Sequence, residues 1–174
     1  MSFRKTFPTR PWNAAIAAAI LSAAVAGCGF QPLHSRLGGA EAARLAGIRI
    51  LPISNREGQI LSNFLRDKLT PLGPPRKPNY VLSVKLNETK QSLGVGVDEL
   101  ATRANLKMVA GFYLLMSPEN KRLFSGNAQS TSSFNILSST FATLSAEKDA
   151  RVRSLRQIAD QITTRVSIYL GRAR

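Results

Sequence analysis

Residues 103–116 read RANLKMVAGFYLLM, in which Ala104, Leu106, Met108, Ala110, Phe112, Leu114 and Met116 alternate with Asn105, Lys107, Val109, Gly111, Tyr113 and Leu115. A period of two sends alternate side chains to opposite faces of a pleated strand, so the stretch is predicted to be a β-strand with one wholly apolar face. Unbroken, it would span roughly 45 Å at about 3.4 Å per residue. A strand of that length needs long partners. Upstream, Tyr80, Leu82, Val84 and Leu86 alternate with Ser83, Lys85 and Asn87. This second half-buried strand is predicted to run on unevenly to Val97, with Gly94 and Gly96 marking a bulge or a close backbone approach. Asp98 and Glu99 then fall in the connecting turn. Downstream, Ser117-Pro118-Glu119-Asn120-Lys121 forms a hairpin loop, and residues 123–133, rich in Ser, Thr, Asn and Gln, form a further strand.

The period becomes helical on both flanks. Ser54-Asn55-Arg56-Glu57 has the form of a capping box, and Ile60, Leu61, Phe64, Leu65 and Leu69 make one apolar stripe behind it. Pro71 ends that helix, and Pro74, Pro75 and Pro78 stiffen the loop beyond. Residues 48–53 are a short apolar run, read as a first strand. At the other end Leu144, Leu155, Ile158, Ala159, Ile162, Val166, Tyr169 and Leu170 share a helical face, with Gly171 as the expected C-cap. From 144 to 170 this helix would measure roughly 40 Å at 1.5 Å per residue. Helix and strand are thus of matching length. The expected fold is α+β: a two-layer sandwich of two helices packed on one face of a mainly antiparallel four-stranded sheet, in the order β-α-β-β-β-α.

The chain has 174 residues, enough for one domain with a sizeable core, with 24 Lys and Arg against 10 Asp and Glu. A single Cys excludes an intramolecular disulfide framework, and with a single His beside it no multi-histidine metal cluster can be built. The net charge of +14 suggests a polyanionic partner. Arg4, Lys5 and Arg10 precede an apolar run over residues 14–26 that is too short to span a bilayer. The run ends in Val25-Ala26-Gly27-Cys28, which resembles a bacterial lipobox, and Cys28 is the expected lipid attachment residue. Residues 1–27 are read as a lipoprotein signal peptide, 28–44 as an acylated tether and 45–174 as a single α+β domain. Gly29 after the Cys favours the outer membrane over the inner. Without the three signal cations the balance is 21 basic to 10 acidic residues, or +11. An acyl anchor places that charge in the cell envelope, which argues against nucleic acid as the partner.

Catalysis is not expected. His34 and Cys28 both fall in the tether, Asp98 and Glu99 read as solvated turn residues, and Gly94-Val95-Gly96 lacks the rest of a dinucleotide loop. No metal or cofactor is implied. Asp149 with Arg153, and Asp160 with Arg165, read as ion pairs on the final helix. The candidate site is instead a set of cations: Lys85 and Lys107 on polar sheet positions, with Lys90, Arg103, Lys121 and Arg122 near strand ends and loops. Beside apolar side chains they suit an amphiphile with a phosphorylated head and acyl chains, since each phosphate accepts charge-assisted hydrogen bonds.

Several short stretches also resemble a known family. Cys28-Gly29-Phe30-Gln31-Pro32-Leu33, Ser132-Ser133-Phe134-Asn135, Phe141-Ala142, Ala146-Glu147-Lys148-Asp149-Ala150-Arg151, Leu155, Ile158-Ala159-Asp160-Gln161-Ile162 and Arg165 are similar to the lipopolysaccharide-assembly lipoproteins (LptE) of Gram-negative bacteria, in their alphaproteobacterial form. The likeness runs through essentially the whole chain after the signal, and the C-terminal helix carries its most specific part. It departs at His34, Phe134 and Phe141, where the family pattern has Tyr. The resemblance implies a two-helix, four-stranded fold. It also implies a plug inside the outer-membrane β-barrel LptD that supports barrel assembly and the transport of lipopolysaccharide to the outer leaflet. The other function class left open is a free, periplasm-facing lipoprotein that binds another anionic lipid or polymer of the envelope.

Overall fold

The alternating stretch is the central feature of the sheet. The computed structural model describes residues 40–95 and 101–172. The segment read as a signal peptide, Cys28, His34, Gly96, Asp98 and Glu99 lie outside the described residues. The elements, in chain order, are α1 (Ala40–Ala46), β1 (Ile48–Ile50), α2 (Asn55–Leu69), β2 (Tyr80–Val95), β3 (Ala101–Met116), β4 (Lys121–Asn135) and α3 (Thr140–Arg172). The strands lie in the order β1-β2-β3-β4, with β1 parallel to β2 and the other neighbours antiparallel. This is the expected α+β arrangement, preceded by a third, short helix. That helix falls partly in the stretch read as tether. Its Leu45 is buried, and Arg44 donates from Nη1 to the Leu170 carbonyl at 2.7 Å. Among the described residues, the packing through Leu45 and Arg44 is too little to leave a period in the sequence.

The alternation of β3 becomes the core: Ala104, Leu106, Met108, Ala110, Phe112 and Leu114 are all essentially inaccessible. Each buried side chain of Leu size contributes about 1.5–3 kcal/mol, so a row this long fixes the register without help from the turns. Leu82 and Val84 of β2, and Ala128 and Phe134 of β4, extend the same face. Both long helices cover it. α2 buries Leu61, Leu65 and Leu69, and α3 buries Leu155, Ile158, Ala159, Ile162, Val166 and Leu170. The 33 residues of α3 and the 16 of β3 give lengths of about 50 and about 54 Å, so helix and strand are of similar length.

Local details depart from the sequence reading. Ser54 precedes α2, but its side chain makes no cap hydrogen bond. Asn55 takes a left-handed conformation, φ 70°, which Asn tolerates better than most residues, and Glu57 turns toward Arg151, at 3.8 Å. Gly58 is required here because a Cβ would lie 2.7 Å from the Ile53 side chain and 2.9 Å from its backbone. The register irregularity among the described residues falls in β3–β4 at Leu114 and Leu115, not in β2. Gly171 lies within α3 instead of capping it. Asp149 does pair with Arg153, but Asp160 pairs with Lys68 of α2, at 2.7 Å, and not with Arg165.

Candidate polyanion-binding sheet face

Because both helices lie on one side of the sheet, the odd-numbered residues of β2 and β3 form a second face that no described helix covers. The pairing register places the cations on it. Arg103 and Lys107 belong to β3, Lys85 stands opposite Gly111, and Arg122 stands opposite Leu115. In β3 numbering they occupy levels 103, 107, 111 and 115. Each step is four residues, about 14 Å along the strands. That exceeds the screening length of roughly 8–10 Å at physiological salt, so each cation is a separate anchoring point. An extended ligand with several anionic groups can reach the whole row.

All four cations are exposed or at the exposed margin. None makes an ion pair among the described residues; Arg122 instead lies over the Tyr113 ring, 5.1 Å from its centroid. Between them the face presents Ser83, Asn87, Thr89, Gln91, Gln129 and Thr131, with Val109, Tyr113 and Leu115 as apolar neighbours. No described carboxylate lies on it. Glu57, Asp67, Glu147, Asp149 and Asp160 are on the long helices, and Glu119 is in the β3–β4 loop. Glu88 pairs with Met108 and so points to the helix side.

Three carboxylates are engaged together on that opposite side. Arg151 of α3 binds Glu88 and Glu147, each at 2.8 Å from Nη2, and reaches Glu57. Lys90 pairs with Glu147 at 2.6 Å. The Lys90 hydrogen bond, reinforced by Arg151 against the opposing effect of burial, holds the Glu147 carboxyl below its usual range. The hydrogen bonds that Arg151 donates to Glu88 contribute most to raising its guanidinium further above its already high value.

Two of the six expected binding residues therefore stand apart from the row. Lys90 has an even number in β2, pairs with Leu106, and is engaged by Glu147 and by the Phe134 ring at 5.3 Å. Lys121 pairs with Met116 at the hairpin end and also belongs to the helix-side parity. The β4 bulge restores Arg122 to the open face, which strand periodicity by itself did not reveal. Arg49 of β1 was missed. It stands opposite Val81, at level 115, between buried Ile48 and Ile50, and the Ile-Arg-Ile pattern carried that signal. Cys28 lies outside the described residues. Among the described residues, no three His, Cys, Asp or Glu side chains group so as to hold a metal ion, and no helix is long and apolar enough to cross a membrane.

No protein-family model and no curated protein matches the chain. Solved structures do. A Caulobacter crescentus protein provisionally designated a lipoprotein superposes with a TM-score of 0.65 at 21% identity, over 78% of this chain and 98% of that one. A minor lipoprotein from Acinetobacter baumannii gives 0.55 at 19% identity, over 71% and 94%. Rare lipoprotein B from Shewanella oneidensis gives 0.52 at 12% identity, over 69% and 95%. The domain thus has the α+β fold seen in these lipoproteins.

Proposed function

We propose that the protein is a non-catalytic outer-membrane lipoprotein, anchored by acyl chains on Cys28, that plugs the LptD β-barrel. In that role it supports the assembly of the barrel and the transport of lipopolysaccharide to the outer leaflet. Its open sheet face binds the phosphates of lipopolysaccharide through Arg103, Lys107, Lys85 and Arg122. The observation that carries this reading is the segregation of charge: a row of unpaired cations faces outward, while every described carboxylate lies elsewhere. A merely solubilising surface would mix both signs. The lipobox pattern at Cys28, the LptE-like stretches in the sequence and the fold shared with lipoproteins support the same role. A polar sheet face also suits a wet barrel lumen, where interior residues are polar.

Affinity capture of the acylated protein from detergent-solubilised membranes tests the reading. The expected result is a β-barrel protein in stoichiometric amount, with lipopolysaccharide accompanying the pair. Recovery of the lipoprotein with an anionic lipid or polymer but no barrel would instead support a free periplasm-facing binding module.

A further inference from the structure

On the helix side, residues of α2 and α3 line a cleft of about 290 Å³, near the lower limit for small-molecule sites. Its floor is apolar: Ile60 from α2 and Leu144 and Val152 from α3. Arg56 and Lys148 stand at its rim, and neither makes an ion pair among the described residues. Arg151 also lines it but is already occupied by three carboxylates, including the cleft's Glu57. The apolar surface continues outward. Leu144 is 60% exposed and Phe141, one turn before it on α3, is 82% exposed; residues three apart share a helix face.

We propose that this cleft binds a single-chain anionic amphiphile, its acyl chain lying on Ile60, Leu144 and Val152 toward Phe141 and its anionic head held by Arg56 and Lys148. The chemistry follows from the pairing of surfaces. An apolar floor favours a hydrocarbon chain, and two unpaired cations at one margin favour a head with negative charge. A neutral apolar ligand would leave the rim unused, and an inorganic anion would leave the floor unused. The site lies across the sheet from the cationic row and does not depend on the role proposed for that row.

Full-length protein in isolated membranes, photolabelled with dodecyl phosphate carrying a diazirine at its chain end, tests the proposal, with the matching dodecanol as the uncharged probe. Adducts are expected in residues 56–60 and 141–152, about ten-fold stronger with the phosphate than with the alcohol. Arg56→Glu with Lys148→Glu should lower labelling by a similar factor. Both side chains are exposed and unpaired, so the thermal melt should not move. Lys85→Glu with Lys107→Glu, on the other face, should leave these adducts unchanged. Adducts confined to other segments, equal labelling by the alcohol, or labelling insensitive to the rim charges would overturn the proposal. So would loss of the cleft adducts in the sheet-face variant.

Discussion

Gln161 of α3 clamps the backbone of Gln129 in β4, donating from Nε2 to its carbonyl at 2.8 Å and accepting from its amide at 3.2 Å. The side chain thus completes both hydrogen bonds that a further strand would make. Arg165, one turn on, donates to the carbonyl of Asn127. β4 is an edge strand, and an open edge invites pairing with another chain. Gln161→Ala should lower stability by about 1–2 kcal/mol and speed hydrogen exchange at the Gln129 amide. It should also raise the tendency to aggregate. Unchanged exchange at Gln129 would show that the clamp is not formed in solution.

Gly126 stands opposite Phe112 in the β3–β4 register, and a Cβ there would lie 2.9 Å from the Phe112 ring. The ring is buried and set edge-on to Phe124, which in turn stacks on Tyr169 of α3. It has nowhere to move. Gly126→Ala should therefore cost about 1–3 kcal/mol, read as a lowered midpoint in urea denaturation.

Among the described residues, three buried hydroxyls on the two long helices, Ser62, Thr163 and Ser167, have no hydrogen-bond partner. Burying an unpaired polar group is costly, and an apolar replacement of the same shape removes that cost. Thr163→Val should raise stability by about 1 kcal/mol, measured by chemical denaturation. A loss of stability would mean that the hydroxyl is satisfied in solution.

Glu147 gives a pH dependence with a definite sign. Its folded carboxyl is held below the reference value of 4.5, first by the hydrogen bond from Lys90. Its contribution is therefore fully present above the unfolded value and is lost as the pH falls through the folded one. Glu147→Gln should cost about 1–2 kcal/mol at pH 7, and the gap from the unsubstituted protein should narrow as the pH drops below 4.5.

The sheet and its helices were legible because a continuous period in the sequence becomes a continuous buried row, as in Leu106, Met108 and Phe112 of β3 or Leu155, Ile158 and Ile162 of α3. Short elements were not. Among the described residues, α1 packs through Leu45 and Arg44, too little to make a period. The parity of Arg103, Lys107 and Lys85 could be counted along their strands, but Arg122 depended on a bulge and Lys121 on the residue at which the hairpin closes. Nothing in the spacing showed that Lys90 would meet Glu147, 57 residues away. The cleft rimmed by Arg56 and Lys148 likewise depends on how two helices pack against each other, which neither helix encodes separately.

The central claim is that position on the open face, and not net charge, creates the anion site. It is tested most directly by comparing lipopolysaccharide binding of Lys85→Glu with Lys107→Glu against Arg76→Glu with Lys77→Glu. The second pair makes the same change in net charge but lies in the exposed loop before β2. The account predicts a loss of about 100-fold in affinity for the sheet pair, roughly ten-fold per lost charge-assisted contact, and little change for the loop pair. Equal losses in both, or none in the sheet pair, would contradict it.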